Sequence, residues 1–251
     1  MKNILRLQDI SKSFLFEGRN VLVLKDIELE VAEHEFVTII GSSGCGKSTL
    51  LELIAGITIP DSGRIYLQGE DVTGKAGKFG YMPQSDLLLP WLSLLDNALL
   101  PSRIRRADLL QEKEKAQRLI REFGLEDYAD YKPAQLSGGM KQRAAFLRTV
   151  MTEAEILLLD EPFANLDALT RLQMQQWLLS IRSGLRQTII LVTHDIDEAI
   201  RLSDRIYVMD SQPGAFIGNK DIPDAIKAAP EGSSHPLWQK IRAELSTLLI
   251  R

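Results

Sequence analysis

The sequence of 251 residues has almost no cysteine, no long hydrophobic run and little excess of charge of either sign. Its single cysteine, Cys45, cannot form an internal disulfide, which excludes a disulfide-stapled scaffold and agrees with a reducing compartment. No segment approaches the roughly 20 consecutive apolar residues that a membrane-spanning helix needs. The start, Met1 to Arg6, carries no apolar stretch of signal-peptide length, so the expectation is a chain that stays in the cytosol. A formal charge of -4 gives no electrostatic footprint for nucleic acid. What remains is an ordinary globular composition, 45% hydrophobic and 25% charged, on a chain long enough for one large α/β domain with or without a subdomain.

Two kinds of strand pattern stand out. Residues 4–10 and 21–31 alternate apolar and polar side chains, and Arg64 to Leu67 lies between the turn signals Asp61-Ser62-Gly63 and Gly69-Glu70-Asp71, which reads as an antiparallel layer. Glu35 to Ile40, Glu155 to Asp160 and Gln187 to Thr193 are near-continuous apolar runs, the pattern of parallel strands covered on both faces. Between about 85 and 152 strand signal is scarce. Ala107 to Phe123 carries apolar residues at helical spacing (Leu109, Leu110, Ala116, Leu119, Ile120, Phe123) with Gly124 as the stop, so this stretch reads as a helical insertion. A last helix is expected from Pro236 to Ile250, with Leu237, Ile241, Leu245 and Leu248 on its buried face.

Gly41-Ser42-Ser43-Gly44-Cys45-Gly46-Lys47-Ser48-Thr49 matches G-x-x-x-x-G-K-[ST] between an apolar strand and a helical run. Glycines let successive backbone N–H groups turn toward phosphate oxygens, and the following helix adds its unpaired donors and positive end. Lys47 supplies a point charge for the terminal phosphates and Ser48 an oxygen ligand for Mg²⁺. The strand ending in Asp160, followed by Glu161-Pro162, fits the second half of such a site. Asp160 at a strand's carboxyl end is expected to hold Mg²⁺ through water, and Glu161 to polarise the attacking water. These residues imply an Mg-ATP hydrolase.

A second Gly-rich segment, Leu136-Ser137-Gly138-Gly139-Met140-Lys141-Gln142-Arg143, opens a helix expected over Met140 to Met151 and is another ready anion site. Two phosphate-binding devices in one chain need two ligands or one ligand clamped between surfaces. With this segment, nearly the whole chain resembles the ATP-binding-cassette (ABC) family, in which the signature of one subunit closes over the P-loop-bound ATP of a second, head to tail. The resemblance implies an α/β P-loop NTPase core with a mostly parallel sheet, an antiparallel β subdomain and an inserted helical subdomain. It makes 1–251 a single domain, with 1–84 and 153–215 as the core and its antiparallel layer, 85–152 as the helical subdomain, and 216–251 as a short extension ending in a helix.

By the same resemblance Gln84, after Phe79 to Pro83, looks like the glutamine that touches Mg²⁺ and links the lobes. Ala164-Asn165-Leu166-Asp167 looks like the D-loop, His194 like the switch histidine at the γ-phosphate, Phe14 like the aromatic that stacks on adenine with Phe16 as a nearby rival, and Ser137, Gly138 and Gly139 like the nucleotide-contacting signature. Met140 stands where the family often has Gln, and Asn165 where a small residue is common.

Leu88 to Asn97, Asp160 to Phe163 with Asp167 to Arg171, and Asp195 to Ala199 with Asp204-Arg205 resemble the ATPases of nitrate-, sulfonate- and taurine-type importers. That branch implies a second copy of this chain as partner, separate transmembrane permease subunits, indirectly an extracytoplasmic solute-binding protein, no nucleic acid, and a place on the inner face of the cell membrane. Residues 85–100 are the expected permease contact. The chain's end soon after the core reads against the sugar-importer branch, which carries an added regulatory domain. An exporter ATPase with separate permeases, a non-transport ABC ATPase and a small-molecule kinase are the rival readings.

Overall fold

The computed structural model describes residues 2–182, 184, 187–211, 213–227 and 235–249. In chain order the elements are β1 (Asn3–Phe16), β2 (Arg19–Ala32), β3 (Phe36–Gly41), α1 (Lys47–Ile54), β4 (Ser62–Leu67), β5 (Glu70–Asp71) and β6 (Gly80–Met82). There follow α2 (Leu94–Ala98), α3 (Leu100–Arg105), α4 (Leu109–Glu122), α5 (Gly138–Val150), β7 (Ile156–Asp160) and α6 (Ala168–Arg182). The chain continues with β8 (Thr188–Thr193), α7 (Ile196–Leu202), β9 (Arg205–Met209), β10 (Phe216–Asp221), α8 (Asp224–Lys227) and α9 (Pro236–Leu249). Contacts divide these into two compact units, 1–78 with 187–251, and 79–186.

In the first unit β1 pairs antiparallel with both β2 and β4, and β4 with β5, giving the antiparallel layer that the alternation implied. The turn signal at Glu70-Asp71 itself pairs as β5, because Tyr66 and Leu67 find their partners there. The second sheet of this unit has β3 between β8 and β9, both parallel to it, with β10 antiparallel on β9. All six residues of β3 and all six of β8 are buried, as their unbroken apolar runs require. Each fully buried Ile, Leu or Val there stabilises by about 1.5–3 kcal/mol.

β10 and α9 are woven into this unit. β10 is a sheet strand, and Trp238, Ile241 and Leu245 of α9 are buried with Ile40, Ile200, Ile206 and Val208. Leu237 and Leu248 pack against the same cluster, and Ile250 lies outside the described residues. β10 escaped the sequence reading because Gly218, Asn219 and Lys220 break its apolar pattern.

In the second unit β6 and β7 form a parallel pair, and α2 to α5 lie between them in sequence. The unit is wider than the stretch 85–152, since the β6–β7 pair and α6 pack with α5. Within α4, Asp108 caps the N-terminus and Gly124 follows at φ +64, the left-handed stop expected of glycine. Ala116, Ile120 and Phe123 are buried, whereas Leu109 and Leu110 are exposed because they sit in the first turn, beyond the reach of the core.

Candidate functional site

The glycine-rich loop belongs to the first unit. β3 ends at Gly41 and α1 begins at Lys47, with Gly46 as its N-cap at φ +103 and Gly44 at φ +80. Left-handed backbone of this kind turns amide groups inward and is open to glycine at little cost. Space also demands glycine. A Cβ on Gly46 would lie 2.8 Å from Leu24 Cδ2, and one on Gly41 would lie 2.7 Å from Cys45 Sγ and 2.8 Å from the Met209 carbonyl oxygen.

Ser42, Ser43, Gly44 and Ser48 are exposed on this cradle, Thr49 is partly so, and Cys45 is buried beneath it. Burial pushes the Cys45 thiol above its ordinary pKa, opposed by the Lys47 ammonium. Lys47 is 5% exposed, and its Nζ donates to the carbonyls of Gly41 and Ser42, each at 2.9 Å.

His194 leaves the same edge of the same sheet. Ile40 of β3 pairs with Thr193 of β8, so the residues that follow them, Gly41 and His194, emerge side by side. His194 is exposed, and Asp195 behind it caps α7 by accepting from the Glu198 amide at 3.1 Å. Phe14 is 40% exposed near the free end of the β1–β2 hairpin, with Lys12 Nζ 5.3 Å from its ring centre. Its partner in the ladder is Val21, two and three residues before Val23 and Leu24, whose side chains bound Gly46. Phe16, at the hairpin tip, is 66% exposed and lies further along the strand.

The second unit holds the remaining candidates. Asp160 ends β7, is 4% exposed, and its Oδ2 accepts from the Tyr81 hydroxyl at 3.4 Å. Met82 of β6 pairs with Leu159, so Gln84 and Asp160 emerge from one edge of the parallel pair, with Gln84 exposed. Glu161 has φ +42, a conformation that costs a residue with a Cβ and persists where surrounding contacts impose it. Tyr81 was not legible as a site residue, because an alternating tyrosine in a short strand carries no chemical signature.

The signature segment starts its helix earlier than expected: α5 begins at Gly138, not Met140. Ser137 is the reason, since its Oγ accepts from the Met140 amide at 3.3 Å and so fixes itself as the N-cap. Gly139 packs against the D-loop side, where a Cβ would lie 2.8 Å from Thr170 Cγ2, and Gly138 faces Leu166. Ser137 and Gly138 are exposed at this helix end, Met140 is half-buried and Asn165 exposed. Asp167 turns back to accept from the Thr170 amide at 3.0 Å, which holds its carboxyl below the usual carboxylate range. Each unit therefore carries its own edge of candidates: the cradle with His194 in one, and Gln84, Asp160 and Glu161 in the other.

No helix among the described residues is long and apolar enough to cross a membrane. Among the same residues no group of three or more His, Cys, Asp or Glu could hold a metal ion by itself. The Ser48 hydroxyl in the first unit and the Asp160 carboxylate in the second are each hard oxygens, the donor type that Mg²⁺ prefers.

Residues 24–164 match the ABC transporter family. The formylaminopyrimidine import ATP-binding protein ThiZ of Halalkalibacterium halodurans is 39% identical, over 100% of this chain and 98% of that protein. The taurine import ATP-binding protein TauB of Pseudomonas aeruginosa is 41% identical, over 83% of this chain and 79% of its own. A solved dimeric ATP-binding cassette in a post-hydrolysis state with ADP and Pi is 30% identical with a TM-score of 0.76, covering 87% of this chain and 99% of that one. With the glycine cradle, the Asp160-Glu161 pair and the Ser137-capped helix all in place, the chain belongs to the ABC transporter family and is one of its ATP-binding, ATP-hydrolysing cassettes.

Proposed function

We propose that this cassette energises import of a small solute of the nitrate, sulfonate or taurine class through separate permease subunits, working as a head-to-tail pair at the inner face of the membrane. The observation that carries the reading is that one chain presents two helix N-termini built for phosphate: the glycine cradle before α1, and the Ser137-capped start of α5. A phosphate-binding surface left over after one nucleotide is bound suits the nucleotide of a second copy. The import names of ThiZ and TauB support the direction of transport.

In this reading the backbone amides of Gly41 to Thr49 receive the phosphates. Lys47 exchanges its contacts with the loop carbonyls for phosphate oxygens, and Phe14 stacks on the base. Ser48, Gln84 and Asp160 would hold Mg²⁺, which when bound neutralises charge developing on the β and γ phosphates. Glu161 accepts a proton from the attacking water, whose oxygen bonds the γ phosphorus as the bond to the β-bridging oxygen breaks; His194 steadies the γ-phosphate. Ser137, Gly138 and Gly139 of the partner copy complete the enclosure.

Leu87 and Trp91, 58% and 66% exposed in the segment before α2, are the apolar residues that meet the permease. ATP can drive closure of the pair only by binding the closed form more tightly.

Light scattering of Glu161→Gln protein with Mg-ATP, with the permease supplied, tests the pairing: a dimer is expected, and a protein that stays monomeric would sink it. Purifying the complex through this subunit should bring down membrane chains. Recovery of the cassette without any would remove the transport role while leaving the ATPase intact.

A further inference from the structure

Arg148 lies in the last turn of α5, at the far end of that helix from Gly138 and Gly139. Its guanidinium reaches the segment that follows β6: Nη1 donates to the Leu87 carbonyl and Nη2 to the Asp86 carbonyl, each at 2.7 Å. A planar fork of donors is what can hold two successive carbonyls at once, and an ammonium cannot reproduce it. Burial pulls the Arg148 pKa below its ordinary value, opposed by the charge of Asp86, so the cation sits in a partly desolvated place beside the loop it holds. The gripped segment is itself strained. Leu87 has φ +44, which a residue with a Cβ keeps only where its surroundings impose it.

A second anchor lies further along. Asn97 is fully buried; its Oδ1 accepts from the Leu89 amide at 2.8 Å, and its Nδ2 donates to the carbonyls of Leu89, Leu92 and Ser93 at 3.2, 3.3 and 2.9 Å. Asp86 Oδ1 accepts from the Leu88 amide at 3.0 Å. Side chains thus bind the irregular backbone from Asp86 to Ser93 at both ends, while Leu87 and Trp91 are displayed outward.

A helix moves as a rod, and from Gly139 to Arg148 the rise is about 14 Å. We propose that Arg148 is a positioning residue of the coupled ATPase: it ties the Asp86–Leu87 backbone to the signature helix, so that displacement of Gly138 and Gly139 on engaging nucleotide is delivered to Leu87 and Trp91. This rests on the signature acting as the second phosphate device. Asn97 keeps the segment in one piece, and Arg148 connects it to the helix.

The test is hydrogen–deuterium exchange of the full chain with and without Mg-ATP, in the native sequence and in Arg148→Ala and Arg148→Lys. In the native protein nucleotide should slow exchange at 41–49 and 137–140 and alter it over 86–93. In Arg148→Ala, exchange over 86–93 without nucleotide should rise on the order of tenfold, since two charge-assisted bonds are lost. The nucleotide response there should vanish while that at 41–49 and 137–140 persists, and Arg148→Lys should restore only part of it.

If the response over 86–93 survives in Arg148→Ala, the arginine is only structural and the proposal is overturned. The same holds if the native protein responds at 137–140 but not over 86–93. Protection at 41–49 with none at 137–140 would instead refute the signature's phosphate role, and the proposal with it. Should Arg148→Ala fail to fold, Arg148→Lys carries the same comparison.

Discussion

Gly46 combines φ +103 with a wall of side chains 2.8–3.2 Å from where a Cβ would stand. Gly46→Ala should therefore lose nucleotide binding and about 1–3 kcal/mol of stability, checked by nucleotide titration and urea melts. Glu161→Gln keeps the shape of the side chain and removes its basicity, so hydrolysis should fall on the order of 10²- to 10⁴-fold with ATP binding spared; phosphate release and nucleotide titration separate the two. Cys45 is a buried thiol with a raised pKa, and alkylation in the folded protein should lag that of the unfolded chain by about tenfold or more. Its rate should climb with pH until the thiol ionises, above the ordinary thiol range. Once modified, the loop should no longer take nucleotide, because Sγ already lies 2.7 Å from where a Cβ on Gly41 would be.

At the scale of elements, sequence patterns served best where one force acted alone. The runs that became β3, β7 and β8 are buried on both faces, so hydrophobicity by itself located them. They served worst where two demands compete: β10 alternates half-buried and exposed residues around Gly218, and Leu109 and Leu110 keep helical spacing without a partner to cover them. The α9 helix shows how much a tail can matter. Ile241 is 1% exposed within the cluster that also buries Ile40 and Val208, so Ile241→Ala should cost about 2–5 kcal/mol in a denaturant melt. A cost below about 0.5 kcal/mol would mean that α9 is only loosely attached. Asn97→Ala strips partners from four backbone groups and should cost about 2 kcal/mol or more by the same measurement.

For the whole molecule, acid is the informative stress. The Asp71 carboxyl is held at about 2 by hydrogen bonds from Thr73 and Arg64, and Asp61, Glu153 and Asp167 are also held low, by Lys12, Lys115 and Thr170 in turn. A carboxylate whose folded pKa is depressed stabilises the fold above its unfolded pKa, and that contribution disappears as pH falls through the folded value. Thermal melts should hold level from pH 7 to about 5 and decline from about pH 4 toward 2. Asp71→Asn should flatten part of that decline, and an unchanged slope would show that its hydrogen bonds contribute nothing.

The sequence by itself marked the candidate chemistry: the loop from Gly41 to Thr49, the Asp160-Glu161 pair, and the Ser137 to Gly139 segment are local patterns, each of a kind that phosphate or water asks of neighbouring residues. It also determined the buried strands that carry two of them. Tertiary structure decided what depends on distant partners: that Ile40 and Thr193 lie in register and so set Gly41 beside His194, and that Arg148 grips a backbone some sixty residues earlier at Asp86 and Leu87. A lone arginine in a helix has no pattern to give it away. Its role is fixed by which carbonyls the fold places within reach of its guanidinium, and that is a property of packing.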